Sequence, residues 1–224
     1  KMNAILGDPD RLKSLASDFV EHYEKRVSEG ATVKGKAMFV CASRPIAYDF
    51  YKEVIALRPE WAEIRVCEEG ASLTERAQKE IKPMERIKMI MTRGQDDPKV
   101  LYDLLGTQVY RKEMDRQFKS AKSNFKIAVI VDMWLTGFDV PFLDTLYIDK
   151  PVQRHNLIQT ISRVNRRFEN KEKGLIVDYI GIKSQMNKAL AQYSKTDLAN
   201  IEEIGQSIVV VKDHLDLLGR IFHK

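Results

Sequence analysis

KIAVIVDMWLTGFDVPFLDTLYIDKP fills residues 126–151. Two apolar runs, Lys126–Val131 and Asp144–Asp149, flank a stretch that contains a glycine, a carboxylate and a proline. Runs that are apolar at nearly every position, not every second one, are expected of strands buried on both faces, as in a parallel sheet. Gly137 permits a tight backbone path. Val140-Pro141 keeps the chain extended just behind Asp139. Such residues make ordinary turns, and they also make ligand loops; the stretch by itself leaves both readings open.

The pattern repeats outward. Ala37–Cys41, Ile87–Thr92 and Gly174–Tyr179 read as further strands. The spacing predicts helices over Pro45–Leu57, Val100–Leu105, Tyr110–Ser120 and Asn156–Phe168. An amphipathic helix is expected from about residue 8 to 29, with Asp8 as its cap, Pro9 at its first position and Gly30 as its stop. EIRVCEE (63–69) reads as a short strand, and 72–86 as a polar surface excursion. Beyond Ile182 the spacing of Ile208, Val211, Leu215, Leu218 and Phe222 predicts helix. The chain thus divides into an α/β domain, 1–182, and a helical extension, 183–224. Strands alternating with helices imply a mostly parallel sheet with right-handed crossovers. Ligands of such sheets sit outside the carboxyl ends of the strands.

Composition removes several function classes. Of 224 residues 44% are hydrophobic and 31% charged, an ordinary globular balance. No run of about 18 apolar residues predicts a membrane span. The first residues, KMNAILGDPD, carry no apolar signal stretch and no initiating Met, as expected of a piece of a longer chain. Cys41 and Cys67 are too few for a disulfide framework or a zinc set. Both read as buried thiols in a reducing compartment, the cytoplasm, and no metal site is expected. A net charge of +5 is a mild basic bias that suits a polyanionic partner.

Three strand ends carry residues with chemistry. Ser43, after Ala37–Cys41, reads as a helix N-cap, or as part of a phosphate-holding helix start. Asp139 follows Lys126–Val131. After Asp144–Asp149 comes LIQTISRVNRR, residues 157–167. On a helix Gln159, Arg163 and Arg166 fall at i, i+4 and i+7, on one face, with Leu157, Ile158, Ile161 and Val164 largely opposite. A charge run of this kind is usually a solvated face. Guanidinium groups are also permanently charged forks for phosphate oxygens. His155 reads as a structural neighbour of that helix. Trp134 and Phe138 read as packing groups, with base stacking as the other possibility.

Taken in order, KAMFVCASRPIAYDFYKEV (36–54), residues 126–151 and HNLIQTISRVNR (155–166) resemble motifs IV, V and VI of a superfamily 2 helicase, within its second RecA-like domain. TGFDVP followed by LIQTISRVNR is most similar to the motor (R) subunit of type I restriction enzymes. The resemblance is strongest over Lys36–Ile182. It implies an ATP site between two RecA-like domains, the first supplying the phosphate loop and the magnesium carboxylate. Arg163 and Arg166 would then be the γ-phosphate contact and the arginine finger, in either order. Gln159 would orient within that cluster, Asp139 would reach the ribose, and Gly137 would allow close approach. Ser43, Arg44 and Thr136 would touch the DNA backbone. The implied partners are double-stranded DNA, modification and specificity subunits, and the first RecA-like and nuclease domains of the same full-length protein.

The departures are equally informative. The 224 residues hold no G-x-x-x-x-G-K-[ST] and no D-E-x-H box, and no nuclease motif is recognisable. Ser162 stands where the common motif VI has glycine. The expectation is half a motor, inactive as an ATPase by itself. Two other readings stay open: the second domain of a different superfamily 2 DNA helicase, and a non-enzymatic DNA- or protein-binding module that keeps the RecA-like fold.

Overall fold

A computed structural model describes residues 2–67, 73–135, 139–152, 164, 169, 171, 174–181 and 208–211. A short helix, α1 (Met2–Leu6), leads into α2 (Pro9–Ser28). Asp8 caps α2 by accepting the Arg11 backbone N–H at 3.0 Å, and Pro9 occupies the first turn. Leu12, Leu15, Ala16, Phe19, Val20 and Tyr23 form the buried stripe that the spacing predicts. Gly30, at φ +67°, closes the helix, and the Ala31 N–H returns to the Arg26 carbonyl at 2.8 Å.

The remaining elements are β1 (Lys36–Cys41), α3 (Arg44–Leu57), a 3₁₀ turn (Pro59–Ala62), α4 (Glu75–Glu80), β2 (Ile87–Ile90), α5 (Lys99–Leu105), α6 (Gln108–Phe118), β3 (Ile127–Ile130), β4 (Leu143–Asp149), β5 (Leu175–Asp178) and β6 (Ile208–Val211). The strands lie in the order β2-β3-β1-β4-β5-β6. Every pairing is parallel. Each residue of β1 to β5 is buried, because both faces are covered. This is the three-layer α/β arrangement of a RecA-like domain.

Alternate strand residues serve two cores. Phe39, Tyr147 and Val177 face α2 and α3. Val40, Ile130, Leu146 and Ile148 face Met114 and Phe118 of α6, together with Val140 and Val164. Phe19 centres the first core, with Phe39 edge-on at 5.1 Å and Tyr147 at 4.8 Å. Burying such a ring contributes about 1.5–3 kcal/mol. Polar ties fix α2 across β4 and β5: the Tyr179 hydroxyl donates to Asp18 at 2.7 Å, and the Arg26 Nε–H donates to Thr145 at 3.1 Å.

The chain leaves β1 toward β2, returns through β3, then crosses β1 to build β4 and the far half of the sheet. The winding therefore reverses between the carboxyl ends of β1 and β4, where open α/β sheets hold their ligands.

Three expectations need correction. EIRVCEE forms no strand among its described residues; Arg65 makes a single antiparallel bridge to Met84. Its alternation is too short to recruit a partner along its length. The polar excursion contains α4, capped by Thr74 accepting the Ala77 N–H. Ile208 and Val211, read as a helical stripe, lie in β6 beside β5. Their three-residue spacing also suits a helix, but Ile208–Val211 are four successive β-branched residues, which favour a strand. The other residues of 183–224 and the boundary at 182 lie outside the described residues. Cys41 is fully buried, whereas Cys67 is only half-buried. No helix among the described residues is long and apolar enough to cross a membrane.

Candidate functional site

The carboxyl edge is assembled from the loops after β1, β2, β3 and β4. Ser43 occupies the N-cap position of α3 in extended backbone, yet its side chain makes no capping bond. Arg44 is committed to the neighbouring loop. Its Nη1 donates to the Thr92 carbonyl, and its Nη2 donates to both Asp97 oxygens, one at 2.5 Å. Asp97 also accepts the Gly94 N–H at 2.6 Å. The bond from Arg44 holds the Asp97 carboxyl below the usual carboxylate range. A phosphate reaching Arg44 would therefore compete with a carboxylate for its forked end.

At the switch point Asp149, fully buried, is held by Arg11 of α2. Arg11 also donates to the Leu6 carbonyl at 3.0 Å. Burial pushes the Asp149 carboxyl upward, and Arg11 opposes that. Cys41 is the register partner of Asp149. Burial, then the Asp149 charge, raise its thiol well above its ordinary value, so it is no nucleophile at neutral pH. Lys150 closes the other side, donating to the Val131 carbonyl at 3.0 Å and pairing with Asp132.

Asp139 is exposed, and the next residue, Val140, is 2% exposed and anchored in the second core. The Pro141 carbonyl accepts a bond from buried Lys171 at 3.0 Å. Trp134 has φ +72° and packs against Phe118 at 5.4 Å, in line with the packing reading. Thr136, Gly137, Phe138, His155, Gln159, Arg163 and Arg166 lie outside the described residues. Val164, between the two arginines in sequence, is helical and 1% exposed. It belongs to the same buried cluster as Val140.

Two features escaped sequence reasoning. Gly174 is pressed against the backbone that carries Val164: a Cβ there would stand 2.3 Å from the Val164 carbonyl oxygen. The only signal in sequence is a glycine opening a strand. The Arg11–Asp149 pair joins residues 138 apart, and no local pattern announces it. Among the described residues no group of three or more His, Cys, Asp or Glu side chains is placed to hold a metal ion.

Comparison with known proteins places these features in a family. Residues 33–181 match the family described as Type I restriction enzyme subunit R domain 3. The chain is 37% identical over 223 residues to the Type I restriction enzyme HindI endonuclease subunit of Haemophilus influenzae, covering 97% of this chain and 19% of that protein. It is 36% identical over 194 residues to the putative type I restriction enzyme MjaIXP endonuclease subunit of Methanocaldococcus jannaschii, covering 87% and 16%. A Staphylococcus aureus relative, the SauCOLORF180P endonuclease subunit, is 39% identical over 94 residues. The chain spans less than a fifth of the length of the first two relatives. On the family match and these identities, the chain belongs to the type I restriction enzyme subunit R domain 3 family.

Proposed function

We propose that this chain is the second RecA-like half of an ATP-driven DNA-translocating motor in a type I restriction endonuclease. Residues 1–182 form the motor domain, and the segment 183–224 adds β6 to its sheet. Arg163 and Arg166 neutralise charge developing on a transferred phosphoryl group, Gln159 orients within that cluster, and Asp139 with Gly137 receives the nucleotide ribose. Ser43, Arg44 and Thr136 follow the DNA backbone, which gives affinity without reading sequence, as a translocating machine requires. ATP and Mg²⁺ are held mainly by the first RecA-like domain of the full-length protein. The nuclease domain and separate modification and specificity subunits complete the assembly, which works on double-stranded DNA in the cytoplasm.

The observation that carries this reading is the shared anchoring of Val140 and Val164. Val140, the residue after Asp139, and Val164, the residue after Arg163, enter one buried cluster on one face of the sheet. Close packing of that kind holds Val140 and Val164 in place relative to each other, which supports bringing their sequence neighbours to one site. In the full-length protein Arg166→Ala is expected to lower DNA-stimulated ATP hydrolysis by roughly 10³-fold or more while DNA binding persists. Wild-type turnover in that variant removes the assignment.

A further inference from the structure

The loop after β2 is tied to the first residue of α3 by one side chain. Arg44 reaches from the end of β1 to residues 92–97. Because β3 lies between β1 and β2, the tie crosses the end of β3, the strand that leads toward Asp139. Asp97 is shaped to receive it. Its carboxylate accepts from Arg44 Nη2 with both oxygens and from the Gly94 N–H at 2.6 Å. Gly94 admits this close approach: a Cβ there would stand 3.1 Å from Asp97 Oδ1 and 3.4 Å from Arg44 Nη2. The Asp97 side chain is 11% exposed and that of Arg44 31%, so the cation is the partner that solvent, and an incoming anion, can reach.

A planar guanidinium offers an anion two forks, Nη1 with Nη2 at its end and Nε with Nη2 at its side. Nη2 belongs to both. In the clasp Nη2 serves Asp97 and Nη1 serves the Thr92 carbonyl, so neither fork is open to a phosphate. A two-pronged phosphate contact at Arg44 therefore requires Asp97 to let go. The exchange is close to even on both sides. Phosphate and carboxylate make the same kind of charge-assisted bond to guanidinium. Asp97 keeps the Gly94 N–H when Arg44 leaves, so its charge is not stranded. A phosphate taken up by Arg44 would lie near the start of α3, where the Ser43 side chain makes no capping bond and the helix dipole favours an anion.

We propose that Asp97 is a latch on Arg44: it stands in for a phosphate while no DNA is bound, and a backbone phosphate of the duplex displaces it. The proposal deepens the motor reading and rests on its placing Arg44 against the DNA backbone. A partly exposed ion pair of this kind favours the closed form by about 5-fold, so the latch lowers duplex affinity by about that factor. The test uses the full-length protein without ATP and a fluorescent duplex oligonucleotide of unselected sequence, with affinity read by anisotropy. Asp97→Asn, whose amide oxygen still accepts the Gly94 N–H, should tighten binding about 5-fold. Asp96→Asn removes the same charge from an exposed neighbour that makes no bond to Arg44, and should tighten it by less than about 2-fold. Arg44→Ala should weaken binding about 10-fold, and adding Asp97→Asn to it should bring no gain. Should Asp97→Asn not fold, Asp97→Ser carries the same comparison. Unchanged or weaker binding by the Asp97 variant, with Arg44→Ala still impaired, overturns the latch and leaves Arg44 on the DNA. An equal gain from Asp96→Asn, or a gain that survives in Arg44→Ala, also overturns it, because the effect would then be one of overall charge. Unchanged affinity in Arg44→Ala overturns the latch together with the placing of Arg44 against DNA.

Discussion

Arg11, near the start of α2, grips both carboxylate oxygens of Asp149 at the carboxyl end of β4, and the pair is sealed from solvent. Arg11 lies outside the three helicase-like stretches, whereas Asp149 ends β4 near the close of the second, residues 126–151. Breaking a buried pair on one side leaves an uncompensated charge. Arg11→Met should therefore destabilise the chain by about 3–5 kcal/mol. Adding Asp149→Leu to it should recover most of that loss, because the buried charge goes with its partner. Urea unfolding midpoints of the single and double variants check this. A double variant as weak as Arg11→Met would contradict it.

Gly174→Ala tests the contact with Val164. The added methyl has no room beside the Val164 carbonyl, so the backbone of Val164 or of Gly174 itself must shift. Overpacking of this kind costs about 1–3 kcal/mol in stability. Its larger effect is expected on chemistry, since a displacement of about 1 Å at a reacting group can cost about 10²-fold in rate. In the full-length protein, ATP hydrolysis should fall steeply while duplex binding, measured by filter retention, stays near wild type. Equal losses in both would reduce Gly174 to a folding role.

The Arg44–Asp97 clasp gives a pH signature. The folded-state pKa of Asp97 lies below its ordinary value because Arg44 bonds the ionised form. Its stabilisation is therefore complete above the unfolded carboxylate value of about 4, and is lost as pH falls through the depressed value. Because Arg44 is partly exposed, the contribution is on the order of 1 kcal/mol. Asp97→Asn should remove it at pH 7 and flatten the acid limb of stability below pH about 4. An unchanged acid limb would show that the clasp adds nothing.

What the sequence discloses follows the range of each interaction. The central strands were legible because apolar runs such as Ile127–Ile130 are local and continuous. The first long helix was legible because its stripe and its Asp8 cap are local too. Ile208–Val211 was misread because the three-residue spacing of Ile208 and Val211 suits a helix and was given more weight than the run of four β-branched residues that favours a strand; pairing with β5 settles it. Ser43, Arg44 and Asp139 could be named as candidates from sequence because each follows the end of an apolar strand run. That Arg44 is already held by Asp97, 53 residues away, no local pattern could say. Gly174 was missed for the same reason, since its role exists only against Val164.

An arginine lowers a phosphoryl-transfer barrier only when a phosphate is held in front of it. On the proposed reading Arg163 and Arg166 have that task, and these 224 residues contain no G-x-x-x-x-G-K-[ST] phosphate loop. The purified chain, given ATP, Mg²⁺ and duplex DNA, should therefore show no phosphate release above background in a coupled assay. Joined in trans with the first RecA-like domain of the same protein, it should raise that domain's turnover, and Arg163→Ala or Arg166→Ala should cancel the gain by roughly 10³-fold if the finger operates as in other phosphoryl-transfer motors. Vigorous hydrolysis by the chain alone would mean that another group cradles the triphosphate, and the two-domain site would have to be given up.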